Sequence, residues 1–264
     1  RLIVMNFLQY AIWGSWLISL GAYLGGGLDF TGLQIGSFFA TMGVASLFMP
    51  AVMGIIADRW IPAQKLLGIC HLVSGGFLIA AASQTAYGPL YSCMLLSVMF
   101  YMPTIALSNS VAYNALDLAR LDTVKHFPPI RVWGTVGFIA AMWFVDLTHI
   151  GGVQIKLTEW QLYVSAVLSF LLSVYSFSLP GCPVDRNVKA RSWVDTLGLR
   201  AFTLFKEKRM AIFFVFSMLL GAALQITNAF GDSYIQSFGS MPQYADSAIV
   251  KHSVILLSLS QMSE

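Results

Sequence analysis

Charge is what this sequence has least of. Only 10% of its 264 residues are Asp, Glu, Lys or Arg, against roughly 25% in a soluble domain. The same chain is 57% hydrophobic with a mean hydropathy of +0.73, so a soluble fold is excluded and a polytopic membrane protein is expected. The net charge of +3 is scattered over short loops instead of forming one face, which argues against a nucleic-acid partner. Cysteine is scarce: Cys70, Cys93 and Cys182 form no Cys-x-x-Cys pair, so no disulfide framework or metal site follows. His71, His126, His149 and His252 are scattered, with no acid at metal-ligand spacing, and are given no chemistry. No nucleophile stands beside a base within the apolar runs, so neither an enzyme nor a cofactor is expected. A signal-peptide cleavage site is also missing after Arg1, and the first hydrophobic run is read as a true span.

Long apolar runs supply the architecture. At about 20 residues per crossing, spans are predicted over 2–24, 33–57, 66–83, 90–113, 130–145, 162–179, 210–230 and 245–264. Arg1, Arg59, Lys65, Arg120, Lys125 and the group from Arg186 to Arg209 fall on one side, whereas Lys156 and Lys251 fall on the other. That asymmetry puts the N-terminus in the cytoplasm and the 146–160 loop outside. The basic connection after the sixth span divides the chain into a six-span bundle, 1–180, a cytoplasmic linker, 181–208, and the first two spans of a second bundle, 209–264. Within the linker, 192–205 has apolar residues at helical spacing, which suits a helix on the membrane surface or a partly ordered connector. The expected fold is all-α, a twelve-span transporter of two halves whose second half stops in the eighth helix.

One arginine stands out against this background. In Phe127-Pro-Pro-Ile-Arg-Val-Trp-Gly-Thr-Val-Gly-Phe138, Arg131 lies just inside the fifth apolar run, with Pro128 and Pro129 placed to start the helix. A charge at mid-membrane costs about 2.5 to 3.5 kcal/mol, so Arg131 is read as facing a water-filled cavity, the alternative being that it snorkels to the headgroups. Arg131, Thr135 and Phe138 share one helix face, and Gly134 and Gly137 between them permit close packing. Gln225 and Asn228 in the seventh span, and Gln261 and Glu264 in the eighth, each pair polar side chains at i and i+3. Such groups can donate and accept toward a nucleobase edge or sugar hydroxyls, or they can bond helix to helix. Glu264 could also carry a proton. Trp13, Trp16, Tyr23 and Tyr101 could line a cavity or simply pack.

Three strings point to a family. Leu8-Gln-Tyr-Ala-Ile-Trp-Gly-Ser-Trp16, the Phe127 to Phe138 string, and 208–213 through Gln225-Ile-Thr-Asn228 resemble the nucleoside:proton symporter family of the major facilitator superfamily. Gly54-Ile-Ile-Ala-Asp58-Arg59 looks like a degenerate form of that superfamily's Gly-x-x-x-Asp-Arg loop. The resemblance implies uptake of purine and pyrimidine nucleosides across a bacterial inner membrane, driven by protons through alternating access, by a monomer embedded in the lipid bilayer. It also implies that Arg131, Thr135, Phe138, Gln225, Asn228, Gln261 and Glu264 surround the nucleoside, with a coupling aspartate beyond Glu264. Another small polar substrate such as a sugar, or a non-transporting nucleoside sensor, remains the alternative.

Overall fold

The computed structural model describes residues 1–184, 204–244 and 246–262. Ten α-helices lie within them: α1 Leu2–Gly14, α2 Leu20–Ala22, α3 Gly32–Arg59, α4 Ala63–Ala82, α5 Tyr87–Leu118, α6 Thr123–Leu147, α7 Trp160–Ser176, α8 Lys208–Ser237, α9 Ala248–Lys251 and α10 Ser253–Met262. A π-helical turn, Tyr23–Gly27, follows α2, and a small hairpin with a 3-10 turn, Ile155–Leu157, joins α6 to α7. Among the described residues α3, α4, α5, α6 and α8 are long and apolar enough to cross a membrane. Large apolar side chains such as Leu47, Phe48, Ile212, Phe216 and Leu219 are exposed, as a lipid-facing surface requires.

Helix α1 packs on α6 and α7, α4 packs on α5 and α7, and α3 lies along α5. The α1–α6 contact is set by glycine. Gly14 faces the backbone carbonyl of Phe138, and Gly137 faces that of Phe7, so closely that a methyl group at either position would collide with backbone. Helix α7 approaches its neighbours by another route, a buried serine row. Ser165 donates to the carbonyl of Ile12 (2.8 Å) and Ser173 to that of Gly68 (2.8 Å), while Ser169 and Ser176 continue the same buried face.

Side-chain contacts identify the two ends of the bundle. Arg1 Nη1 donates to Ser178 O (2.9 Å), Gln64 Oε1 accepts from the amide of Cys182 (2.9 Å), and Asn114 Nδ2 donates to Gly181 O (3.3 Å). The starts of α1 and α4 and the ends of α5 and α7 therefore meet at one end, called the Arg1 end below. At the opposite end Ser19 donates to Gln161 (2.8 Å) and the hairpin meets α9.

Three expectations need correction. The first span, expected to be continuous over 2–24, is interrupted after Gly14 and resumes at Leu20 before the π-helical turn. Helix α6 begins at Thr123 instead of at the prolines, because the Asp122 carboxylate caps it by accepting from Val124 N (2.9 Å); Pro128 and Pro129 lie inside the helix. The span expected over 245–264 is two helices, α9 and α10, meeting at His252. Most of the 192–205 segment lies outside the described residues.

Candidate functional site

A cavity of about 520 Å³ opens between α1, α3, α5 and α8, within the roughly 300 to 1,000 Å³ usual for small-molecule sites. Trp13 of α1, Phe39 and Met42 of α3, Met102 of α5, and Gln225 with Phe230 of α8 line it. Two of these residues hold buried donors, Trp13 Nε1 and Gln225 Nε2, that have no hydrogen-bond partner among the described residues. Orphaned buried N–H groups are costly and uncommon. Here both belong to the same walls, which makes the cavity fit for a ligand with acceptor atoms and apolar faces.

Behind Trp13 lies a buried polar network. The Tyr101 ring is 5.9 Å from that of Trp13, and its hydroxyl donates to the backbone carbonyl of Gln9 (2.7 Å). The Gln9 amide donates to Thr104 Oγ1 (2.7 Å) and its oxygen lies 2.8 Å from His71 Nε2. Gln9, His71, Thr104 and Tyr101 are all buried, and His71 Nδ1 is unpartnered among the described residues. The chain of contacts holds the α1 wall of the cavity rigidly against α4 and α5.

The residues proposed from sequence are distributed more widely than one pocket. Gln225 lines the cavity, whereas Arg131, Thr135, Phe138, Asn228 and Gln261 do not. Arg131 sits over the ring of Tyr10, 3.8 Å from its centroid, in a gap that Gly134 keeps open: a methyl group there would lie 2.7 Å from Arg131 Nη1 and 2.6 Å from Tyr10 Cδ2. Thr135 is half-buried one turn on, and Phe138 is buried against α1. Asn228 and Gln261 are half-buried on α8 and α10. Glu264 lies outside the described residues.

A family model described as "Nucleoside H+ symporter" matches residues 1–264. The chain belongs to the nucleoside H+ symporter family. The xanthosine permease of Escherichia coli (strain K12) is 52% identical over 264 residues, which is 100% of this chain and 62% of that protein. Nucleoside permease NupG of the same organism is 46% identical with the same coverage. The crystal structure of nucleoside transporter NupG superposes with a TM-score of 0.87 at 46% identity, covering 99% of this chain and 64% of that one. The chain thus spans 62% of the length of these curated relatives. The all-helical transporter fold expected from sequence is the fold of this symporter family.

Against that family background, two polar groupings had gone unassigned in the sequence. His71 is a titratable residue in the middle of a span, and the rule that such residues mark functional positions applied to it as well as to Arg131. In the sequence Lys156 reads as a loop charge, yet it is 1% exposed and bonded to a fully buried Asp146 (2.5 Å). No local signal distinguishes it, because α9 and α10 provide the burial from almost a hundred residues away.

Proposed function

We propose that this protein carries nucleosides together with protons across the bacterial inner membrane by alternating access, with the Trp13–Gln225 cavity as part of the nucleoside path. The observation that carries the proposal is the pair of unpartnered donors in one cavity between α1 and α8. A nucleoside supplies acceptors on its base and ribose for them, and its base offers a flat face for Trp13 and Phe39. The relatives named for xanthosine and nucleosides favour this substrate class over a sugar. Arg131, Thr135 and Phe138, with Gln225, Asn228, Gln261 and Glu264, form the wider set that contacts the nucleoside during the cycle. The bundle 1–180 and the bundle that 209–264 begins rock about this set, joined by the linker 181–208. The cations at the Arg1 end support a cytoplasmic position for that end, and the protein works as a monomer.

The test is uptake of labelled uridine and xanthosine by cells expressing the full-length protein, with and without a protonophore. Accumulation that the protonophore abolishes is expected. Binding without accumulation would point to a sensor, and uptake of neither nucleoside would overturn the reading. Trp13→Phe keeps an aromatic face and removes the N–H, and should weaken nucleoside affinity about two- to thirteenfold, the value of one hydrogen bond at roughly 0.5 to 1.5 kcal/mol. Uptake at the wild-type rate in Arg131→Ala would remove Arg131 from the set.

A further inference from the structure

At the end opposite Arg1, a buried charged cluster joins helices from distant parts of the chain. Asp146, the penultimate residue of α6, places Oδ1 2.5 Å from Lys156 Nζ and Oδ2 2.7 Å from His252 Nδ1. The Lys156 ammonium also donates to the carbonyl of Lys251 (2.7 Å) and to Ser253 Oγ (3.2 Å), which uses its three protons. Ser253 in turn donates to Asp232 Oδ1 on α8, and Gln236 Nε2 donates to Asp232 Oδ2 (2.9 Å). Asp146, Asp232 and Ser253 are fully buried and Lys156 is 1% exposed, whereas the His252 side chain is 37% exposed.

The charges do not balance. Two carboxylates and one ammonium sum to minus one while His252 is neutral, and an uncompensated buried charge is strongly unfavourable. The other groups facing the cluster do not correct this. Among the described residues, Gln154, Gln161 and Gln236 are neutral, the Lys251 ammonium turns away to Asp246 at the surface (2.9 Å), and His149, which lines the same pocket as His252, keeps its Nδ1 on Leu147 O (3.0 Å). One added proton brings the sum to zero, and His252 is the member that solvent reaches. Protonated, its ring donates to Asp146 as one half of an ion pair.

We infer that this cluster is a proton-binding site that latches the α6–α7 connection to α8 and α10, closing the end opposite Arg1 when it is protonated. With the proton bound, Asp146, Lys156, His252 and Asp232 attract across the junction, and Gln154 Nε2 on Lys251 O (3.1 Å) and Trp143 Nε1 on Ser258 Oγ (2.9 Å) add to the seam. Without it, the excess negative charge favours separation and rehydration. The inference rests on the reading proposed above only for its place in the cycle: an acidic exterior would load the site and close that end over an incoming substrate.

Hydrogen exchange of the full-length protein in nanodiscs, without nucleoside, tests the latch over pH 5.5 to 8.5. After correction for the intrinsic effect of pH on amide exchange, segments 148–157 and 247–253 should be protected at low pH. They should lose protection by up to about tenfold per pH unit across the transition, the slope of one linked proton. Asp232→Asn makes the cluster neutral without a proton and should keep both segments protected to pH 8.5. His252→Gln, at a partly exposed position, should flatten the transition. A wild-type profile independent of pH, or an unchanged transition in both variants, would overturn the inference. Because the readout needs no substrate, a pH-dependent latch in a protein that takes up no nucleoside would refute only the transport reading. Proton-driven uptake with a pH-independent junction would refute only the latch.

Discussion

Arg131 shows how far one residue can be read from its neighbours in sequence. Its charge within an apolar run calls for a water-filled cavity or the headgroups to receive it. The structure sets it over an aromatic face, the Tyr10 ring on α1. A ring on another helix leaves no trace in the spacing around Arg131, so this pairing was not legible. A double-mutant cycle of Arg131→Lys with Tyr10→Leu, read by thermal unfolding in detergent, should give a coupling of about 0.5 to 2 kcal/mol, since lysine cannot stack a planar guanidinium on the ring. A coupling of zero would mean the contact contributes nothing. Cys182, beyond the end of α7, offers a second check at this scale. Burial pushes its thiol upward from the ordinary value, against the opposing effect of hydrogen bonds with Gln64 and Asn114. A raised thiol holds less thiolate at pH 7.5, so maleimide should label Cys182 roughly several-fold more slowly than free cysteine and faster as the pH rises toward 9. Labelling at the free-cysteine rate would contradict that environment.

At the scale of elements, apolar length gave the order of the long helices but not the breaks in the first and eighth expected spans, and the glycines in α6 foretold a close approach without naming its partner, α1. Helix starts were less legible. Pro128 and Pro129 carry a stronger starting signal than Asp122, but Asp122 satisfies an amide that would otherwise be orphaned, and the helix extends back to it. Asp122→Ala should therefore destabilise the protein by about 0.5 to 2 kcal/mol, with hydrogen exchange increasing over 123–127. Unchanged exchange there would show that the prolines, not the cap, define the start. The interruption after Gly14 had no sequence counterpart either. Ser15 and Ser19 have local or cross-helix partners, Ala11 O and Gln161 Oε1, and only the second of these, a tertiary contact, identifies the break.

For the whole molecule, the membrane class, the helical fold and the family were legible because they depend on composition and on long matching strings. The candidate site was legible only in part. Gln225 reached the cavity, but Trp13 was one of several aromatic residues with no distinguishing mark, and the cavity itself exists only through the meeting of α1, α3, α5 and α8. The Asp146–Lys156–Asp232 cluster was hidden for the same reason, since its members sit in three separate stretches that only the folded chain brings together.

The serine row of α7 bears on how the protein is made. The inner face of this 17-residue helix is Ser165, Ser169, Ser173 and Ser176, and two of its hydroxyls reach acceptors on earlier helices, Ser165 on α1 and Ser173 on α4, while Ser176 bonds Ser173 O within α7. During synthesis α1 and α4 emerge first and settle in the bilayer. Helix α7 follows them in the chain, so the carbonyls of Ile12 and Gly68 that accept from its serines are already made when it emerges.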